Sequence, residues 1–246
     1  MISKIKLQSV INKYYLNGLI EAVKWEITDN KLTIRYTSPN KEMLGELTYD
    51  NINLLDSTVG ISNTSQLLKL LSITSGDVLL DYVKNGKVFS KLIISDSQFT
   101  VNYTLADTLT IPKTGTYTGP EEYNLEASMD SDSISALIKA KSALPESTTV
   151  VLKPFKSLDD EFQIDFMFGG DVEYANKVSY YLPNVKQKDA PSDFEIGFSS
   201  DVLKEILSAN KEASKAKIFI NLEGLMKLEF YEDDTKSTYY IVKKDI

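Results

Sequence analysis

Cysteine and histidine are absent from this 246-residue chain, and arginine occurs once, as Arg35. Those absences remove thiol nucleophiles, histidine bases, histidine metal ligands and structural zinc. A phosphate clamp built from several bidentate arginines is excluded as well. Neither G-x-x-x-x-G-K-[ST] nor G-x-G-x-x-G occurs, so no glycine-rich phosphate loop is expected. No apolar run is long enough to span a bilayer. The opening Met1-Ile2-Ser3-Lys4-Ile5-Lys6 lacks the apolar core and cleavage site of a secretory signal, and with no cysteine a cytoplasmic protein is the expectation. An enzyme would have only carboxylates, lysines, tyrosines and hydroxyls to work with. No cofactor and no metal are expected.

What is present is ordinary globular material: 42% apolar and 25% charged residues, with no low-complexity tract. That suits one or two domains with real cores. The most regular stretch is 194–246. Phe194-Glu195-Ile196-Gly197-Phe198 reads as a strand. Ser199, Ser200 and Asp201 are helix-capping types ahead of an apolar-periodic run over 202–211. Strands over 216–221, 225–230 and 237–242 follow.

A weaker copy of this order lies earlier. Leu7, Val10, Ile11 and Tyr14 predict a helix over 7–18, ending at Gly18. Strands are expected at 21–28, 31–37 and 43–49, then a helix at 65–73 capped by Asn63 or Thr64. The Asn85-Gly86 pair between alternating runs marks a hairpin joining 78–83 to 87–94, with 99–105 next. The second half begins with a strand at 123–129. Asp130 to Ser133 then cap a helix carrying Ile134, Leu137 and Ile138. Strands at 149–153, 161–168 and 177–182 complete it. Each half therefore reads helix, three strands, helix, three strands. Two similar α+β domains are expected, 1–112 and 123–246, joined by a linker over 113–122.

The net charge of −8 argues against a simple nucleic-acid binder, but its distribution argues differently. Windows around the four helices (1–20, 63–76, 133–144 and 202–217) hold ten lysines and two acids, a net of +8, which leaves −16 elsewhere. Basic helices and acidic sheets can hold a polyanion on one face and repel it from the other. Singly spaced lysines supply phosphate contacts without base readout. On the last helix Lys204, Ser208, Lys211 and Lys215 form one stripe at about 100° per residue. Taken alone, that stripe also reads as a solvated face complementing the helix dipole.

Other motifs have plainer readings. Asp159-Asp160-Glu161 and Glu232-Asp233-Asp234 could serve as metal or glycosidase carboxylates, yet both fall between strands, where solvated turns belong. Asp130 and Asp132 sit where a helix begins, so capping is the better reading. Tyr14-Tyr15, Tyr180-Tyr181 and Tyr239-Tyr240 could stack bases, or pack as half-buried strand residues.

Three pieces carry a family resemblance. One is Leu54-Leu55-Asp56 leading into Ser65-Gln66-Leu67-Leu68-Lys69-Leu70-Leu71. The second is Asp193-Phe194-Glu195-Ile196-Gly197-Phe198 before Val202-Leu203. The third is the ending, with 224–230 ahead of Tyr239-Tyr240-Ile241-Val242. Along nearly its whole length the chain resembles sliding clamps, the DNA polymerase processivity factors, of the T-even bacteriophage type. The resemblance implies two processivity-fold domains with antiparallel sheets outside and helices inside. It implies a non-enzymatic homotrimer, closed head-to-tail into a ring by edge strands, that encircles double-stranded DNA without sequence preference. A DNA polymerase and a clamp loader are the implied partners. The implied compartment is the bacterial host cytoplasm if the protein is phage-encoded, with no membrane. Carried over, Lys13, Lys69, Lys139, Lys141, Lys204, Lys211, Lys215 and Lys217 would face the duplex. Ile111, Pro112, Tyr117, Tyr239 and Ile241 would form the apolar crevice for partner peptides, or else are core and linker packing. The alternatives from other classes are a phage tail or baseplate module and a carboxylate-based hydrolase.

Overall fold

One motif, a leading strand, a helix and three further strands, occurs four times along the chain. In this computed structural model residues 1–86, 88–117, 119–120, 122–169 and 176–246 are described. The first copy is β1 (Ile2–Ser3), α1 (Lys4–Tyr15), β2 (Val23–Thr28), β3 (Lys31–Thr37) and β4 (Met43–Asp50). The second is β5 (Ser57–Ile61), α2 (Thr64–Ser72), β6 (Asp77–Asn85), β7 (Val88–Ser95) and β8 (Thr100–Thr104). The third is β9 (Leu125–Met129), α3 (Ser131–Ala143), β10 (Thr149–Lys156), β11 (Phe162–Phe168) and β12 (Val178–Leu182). After the two-residue β13 (Lys186–Gln187), the fourth is β14 (Ile196–Ser199), α4 (Ser200–Ala209), β15 (Lys215–Asn221), β16 (Leu225–Glu232) and β17 (Thr235–Val242).

Two compact units result. One comprises 1–39, 45–116 and 234–237, and the other 40–44, 117–233 and 238–246. Within each unit the motifs exchange their leading strands. In the first, β1 pairs with β6 and β5 with β2; in the second, β9 pairs with β15 and β14 with β10, all antiparallel. The first unit has the strand successions β1-β6-β7-β8 and β5-β2-β3-β4. The second has β13-β9-β15-β16-β17 and β12-β11-β10-β14. Neither half of a unit is complete without the other.

Period-two alternation sets the cores. Leu32, Ile34 and Tyr36 of β3 are buried, as are Val23, Trp25 and Ile27 of β2. In the second unit Ile164, Phe166 and Phe168 of β11 do the same. Each such aliphatic or aromatic side chain contributes about 2 kcal/mol over exposure. The helices pack in pairs, α1 with α2 and α3 with α4. On α4 the buried stripe is Val202, Leu203, Ile206 and Leu207. Two glycines answer a close approach. A Cβ on Gly60 of β5 would lie 2.6 Å from the Ala106 carbonyl oxygen. On Gly197 of β14 it would lie 2.8 Å from the Lys244 carbonyl oxygen.

The structure corrects the expected helix ends. α1 stops at Tyr15, because Leu16 and Asn17 take positive φ and Leu16–Gly18 form a tight turn. α4 stops at Ala209 rather than 211. The buried Asn210 side chain donates to Ile206 O and to the Tyr239 hydroxyl, both at 2.8 Å. That carboxamide fills the place of the next helical donor. The caps match expectation: Asn63 accepts from Gln66 N at 2.8 Å, and Asp130 from Ser133 N at 2.7 Å. β5 was not expected at all. The apolar part of Ser57-Thr58-Val59-Gly60-Ile61 is only three residues long and includes a glycine.

Candidate nucleic-acid interface

The lysines are the charged groups from which the interface was expected, and the structure sorts them into three kinds. Lys69 of α2 and Lys139 of α3 are exposed, Lys204 of α4 is half-buried, and Lys211 is exposed just past α4. Lys211 Nζ has Glu212 at 3.9 Å, a loose exposed pair that leaves the charge hydrated. These four cations can reach an external polyanion.

Lys13 and Lys141 cannot, and this corrects the sequence expectation. Lys13 is 2% exposed and donates to Ser9 Oγ at 3.3 Å. Lys141 is 3% exposed, with Nζ 2.8 Å from Pro145 O, 2.6 Å from Ser147 O and 3.0 Å from Asp201 Oδ1. A buried ammonium is tolerated because it is fully paired. Lys215 and Lys217 are displaced for another reason: both belong to β15, not to a helix. Lys217 Nζ bonds Glu126 Oε1 at 2.9 Å, and that hydrogen bond raises its pKa.

The true helix bounds also weaken the charge contrast. α1 carries three lysines and α2 one. α3 has two against Asp132, and α4 has one against Asp201 and Glu205, so the four helices net +4 rather than +8. Asp132 and Asp201 lie in first turns, where they complement the helix dipole. The helices remain basic relative to the rest of a −8 chain. Lys4 of α1, which sequence reasoning did not single out, donates to the carbonyls of Ser72 (2.7 Å) and Thr74, so it closes the end of α2.

The expected partner crevice is redistributed. Tyr239 and Ile241 are fully buried and Ile111 is 5% exposed, so all three are core. Pro112 and Tyr117 are exposed. The Tyr117 ring lies 4.5 Å from that of Tyr240, the neighbour facing the other side of β17. Strand parity alone would have distinguished Tyr240 from Tyr239. Tyr123 joins this aromatic surface, 5.5 Å from Phe219, with Lys227 Nζ over both rings. Burial, reinforced by Tyr240, Tyr117 and Glu229, pushes the Tyr123 hydroxyl well above its ordinary range. A polar cleft of 510 Å³ beside it is lined by Glu122, Asn124, Lys188, Glu195 and Asn221. In the first unit an apolar cleft of 590 Å³ is lined by Val59, Val88, Phe89 and Leu105.

The acidic runs are turns. Asp160 pairs with Lys156 at 3.0 Å, and Asp233 takes positive φ between β16 and β17. Among the described residues no group of three or more acids could hold a metal. Nor is any helix long and apolar enough to cross a membrane.

Each unit carries one long strand edge that is both uncharged and unpaired among the described residues. These are β8, Thr-Val-Asn-Tyr-Thr, and β12, Val-Ser-Tyr-Tyr-Leu. The edges at β5 and β14 are partly closed by the bridges Gly60–Ala106 and Gly197–Lys244. Unprotected edges of this kind normally carry lysine or proline.

The whole chain superimposes on solved structures. Proliferating Cellular Nuclear Antigen from Entamoeba histolytica matches with TM-score 0.76 and 16% identity, over 99% of this chain and 96% of that one. PCNA from Thermococcus kodakaraensis matches with TM-score 0.73 and 14% identity, over 98% and 97%. A. fulgidus PCNA, solved with the C-terminal region of FEN-1 bound, matches with TM-score 0.74 and 16% identity, over 100% and 97%. The chain has the sliding-clamp fold. No protein-family model and no curated protein matches its sequence. At 14–16% identity the likeness is one of backbone fold.

Proposed function

We propose that the protein is a DNA sliding clamp: a homotrimeric ring that encircles duplex DNA and tethers a replicative DNA polymerase, without catalysing a reaction. The observation that carries this reading is the sliding-clamp fold along the entire chain, combined with two different free edges, β8 and β12. Pairing β8 of one copy with β12 of the next is heterologous, and such a contact produces a ring when its rotation closes. Three copies would bring six units. The exposed Lys69, Lys139 and Lys211, with the half-buried Lys204, supply sequence-independent phosphate contacts. Few charges per copy favour sliding over tight binding.

A clamp loader is the second partner of this reading. Tyr117 and Tyr240, whose rings pack together, form the surface for polymerase and loader tails. The A. fulgidus neighbour binds the C-terminal region of FEN-1, which supports a protein-tail site. Placement among T-even phage clamps, in a bacterial host cytoplasm, is supported by the sequence pieces at 54–56, 65–71 and 193–203. The linker of this reading is 113–122, between domains 1–112 and 123–246.

The test is topological. Loaded by an ATP-driven loader, the protein should stay on closed circular DNA and run off the same DNA once it is cut. Equal loss from both would refute the clamp. In parallel, lysines placed at Thr104 or Ser179 should convert the trimer mass to a monomer mass with circular dichroism unchanged.

A further inference from the structure

The strand beside the β12 edge carries an isolated carboxylate. Asp165 of β11 lies in a cross-strand row on the solvent face, running from Lys153 of β10 through Asp165 to Tyr181 of β12 at the free edge. Lys153 is committed to Glu195 at 3.1 Å. Asp165 Oδ2 accepts from Ser179 Oγ at 3.1 Å, while Oδ1 is buried with no hydrogen-bond partner among the described residues. The Tyr181 ring stacks 4.1 Å from Phe155 and borders the same site. The groups facing Asp165 are therefore Ser179 and Tyr181 from β12 and Lys153 from β10, whose ammonium is paired with Glu195 and offsets the desolvation of Asp165 only in part. An orphaned buried acceptor is costly as an anion and is relieved by a proton.

We propose that self-association through β12 is proton-linked, Asp165 taking up a proton when a second copy of the chain covers that edge. The inference rests on the reading that β12 is a ring-closing edge. A strand added to β12 removes water from beside Tyr181 and Ser179. The strand expected there, β8, brings no charge to compensate. Desolvation already holds the Asp165 carboxyl above its ordinary value, and further covering acts in the same direction. The associated state then binds more protons than the free protomer, so association strengthens as pH falls.

The test is sedimentation equilibrium of the full chain between about pH 7 and about pH 5, for wild type, Asp165→Asn and the turn control Asp159→Asn. Wild type and Asp159→Asn should show an association constant per interface rising as pH falls. The excess over Asp165→Asn should be up to about tenfold per pH unit, the limit for one linked proton. As a second readout on wild type alone, dissociation heats in buffers of different ionisation enthalpy should report up to about one proton released per interface. Parallel pH profiles for wild type and Asp165→Asn, with rings forming in both, would overturn the linkage and leave the ring intact. Monomers at every pH would overturn the ring reading, and the linkage with it.

Discussion

The ammonium of Lys141 lies 3.0 Å from the carboxylate of Asp201, joining the last turn of α3 to the first turn of α4. The same nitrogen reaches two carbonyls of the segment that leads into β10. Ser200 Oγ adds a 2.5 Å bond to Ser147 O. One lysine thus organises a buried polar junction in the second unit.

Lys141→Met should therefore lower unfolding free energy by about 3 kcal/mol, as for other buried pairs that lose one partner. Asp201→Asn should cost less than about 1 kcal/mol, because Asp201 is mostly exposed. Urea unfolding measures both. Were Lys141 a phosphate contact instead, its replacement would spare stability and weaken DNA retention.

Charge reversal of lysines outside the cores should do the opposite. Lys69→Glu, Lys139→Glu and the pair Lys204→Glu with Lys211→Glu should shorten retention on circular DNA and reduce polymerase processivity, with trimer mass unchanged. Each removed phosphate contact should lower the salt slope of binding by about 0.9. Unaltered processivity in all three would dissociate these lysines from DNA.

Two aspartates should give pH effects of opposite sign. Asp130 is held below its ordinary value of 3.8 by the Ser133 hydroxyl and amide. Its contribution is present above 3.8 and is lost as pH falls through the folded-state value. Asp165 is held above 3.8 by burial, so its cost is absent in acid and grows as pH rises through its folded-state value. Asp165→Asn should accordingly raise the urea midpoint at neutral pH, and the gain should vanish in acid. Asp130→Asn should lose stability at neutral pH.

Gly60→Ala and Gly197→Ala should each destabilise by about 1–3 kcal/mol, since the new methyl meets backbone oxygen, which cannot rotate away. Gly115→Ala, with nothing within 4 Å, should be silent in the same thermal melts.

Much of the fold was legible because it is written in local chemistry. The Asn63 and Asp130 caps and the alternation of β3 each depend on residues within one turn or one strand, whereas the hairpin expected at Asn85-Gly86 involves residue 87, outside the described residues. The exchange of leading strands was not legible. β1 has two residues and β5 an apolar stretch of three, too short for a periodic signal, and their partners lie tens of residues away.

The interface divides along the same line. Sequence by itself determined the α+β class, the repetition, the excess of lysine on helices and the lack of histidine or cysteine chemistry. Composition and short-range periodicity suffice for those. Only tertiary structure decided which lysines are available. Lys13 and Lys141 look like Lys139 in a linear pattern. Yet burial depends on what packs against the helix, and an ammonium enters a core only where distant carbonyls and carboxylates converge on it. In the same way, a long-range bond from Asn210 to Tyr239 ended α4 and moved both residues into the core.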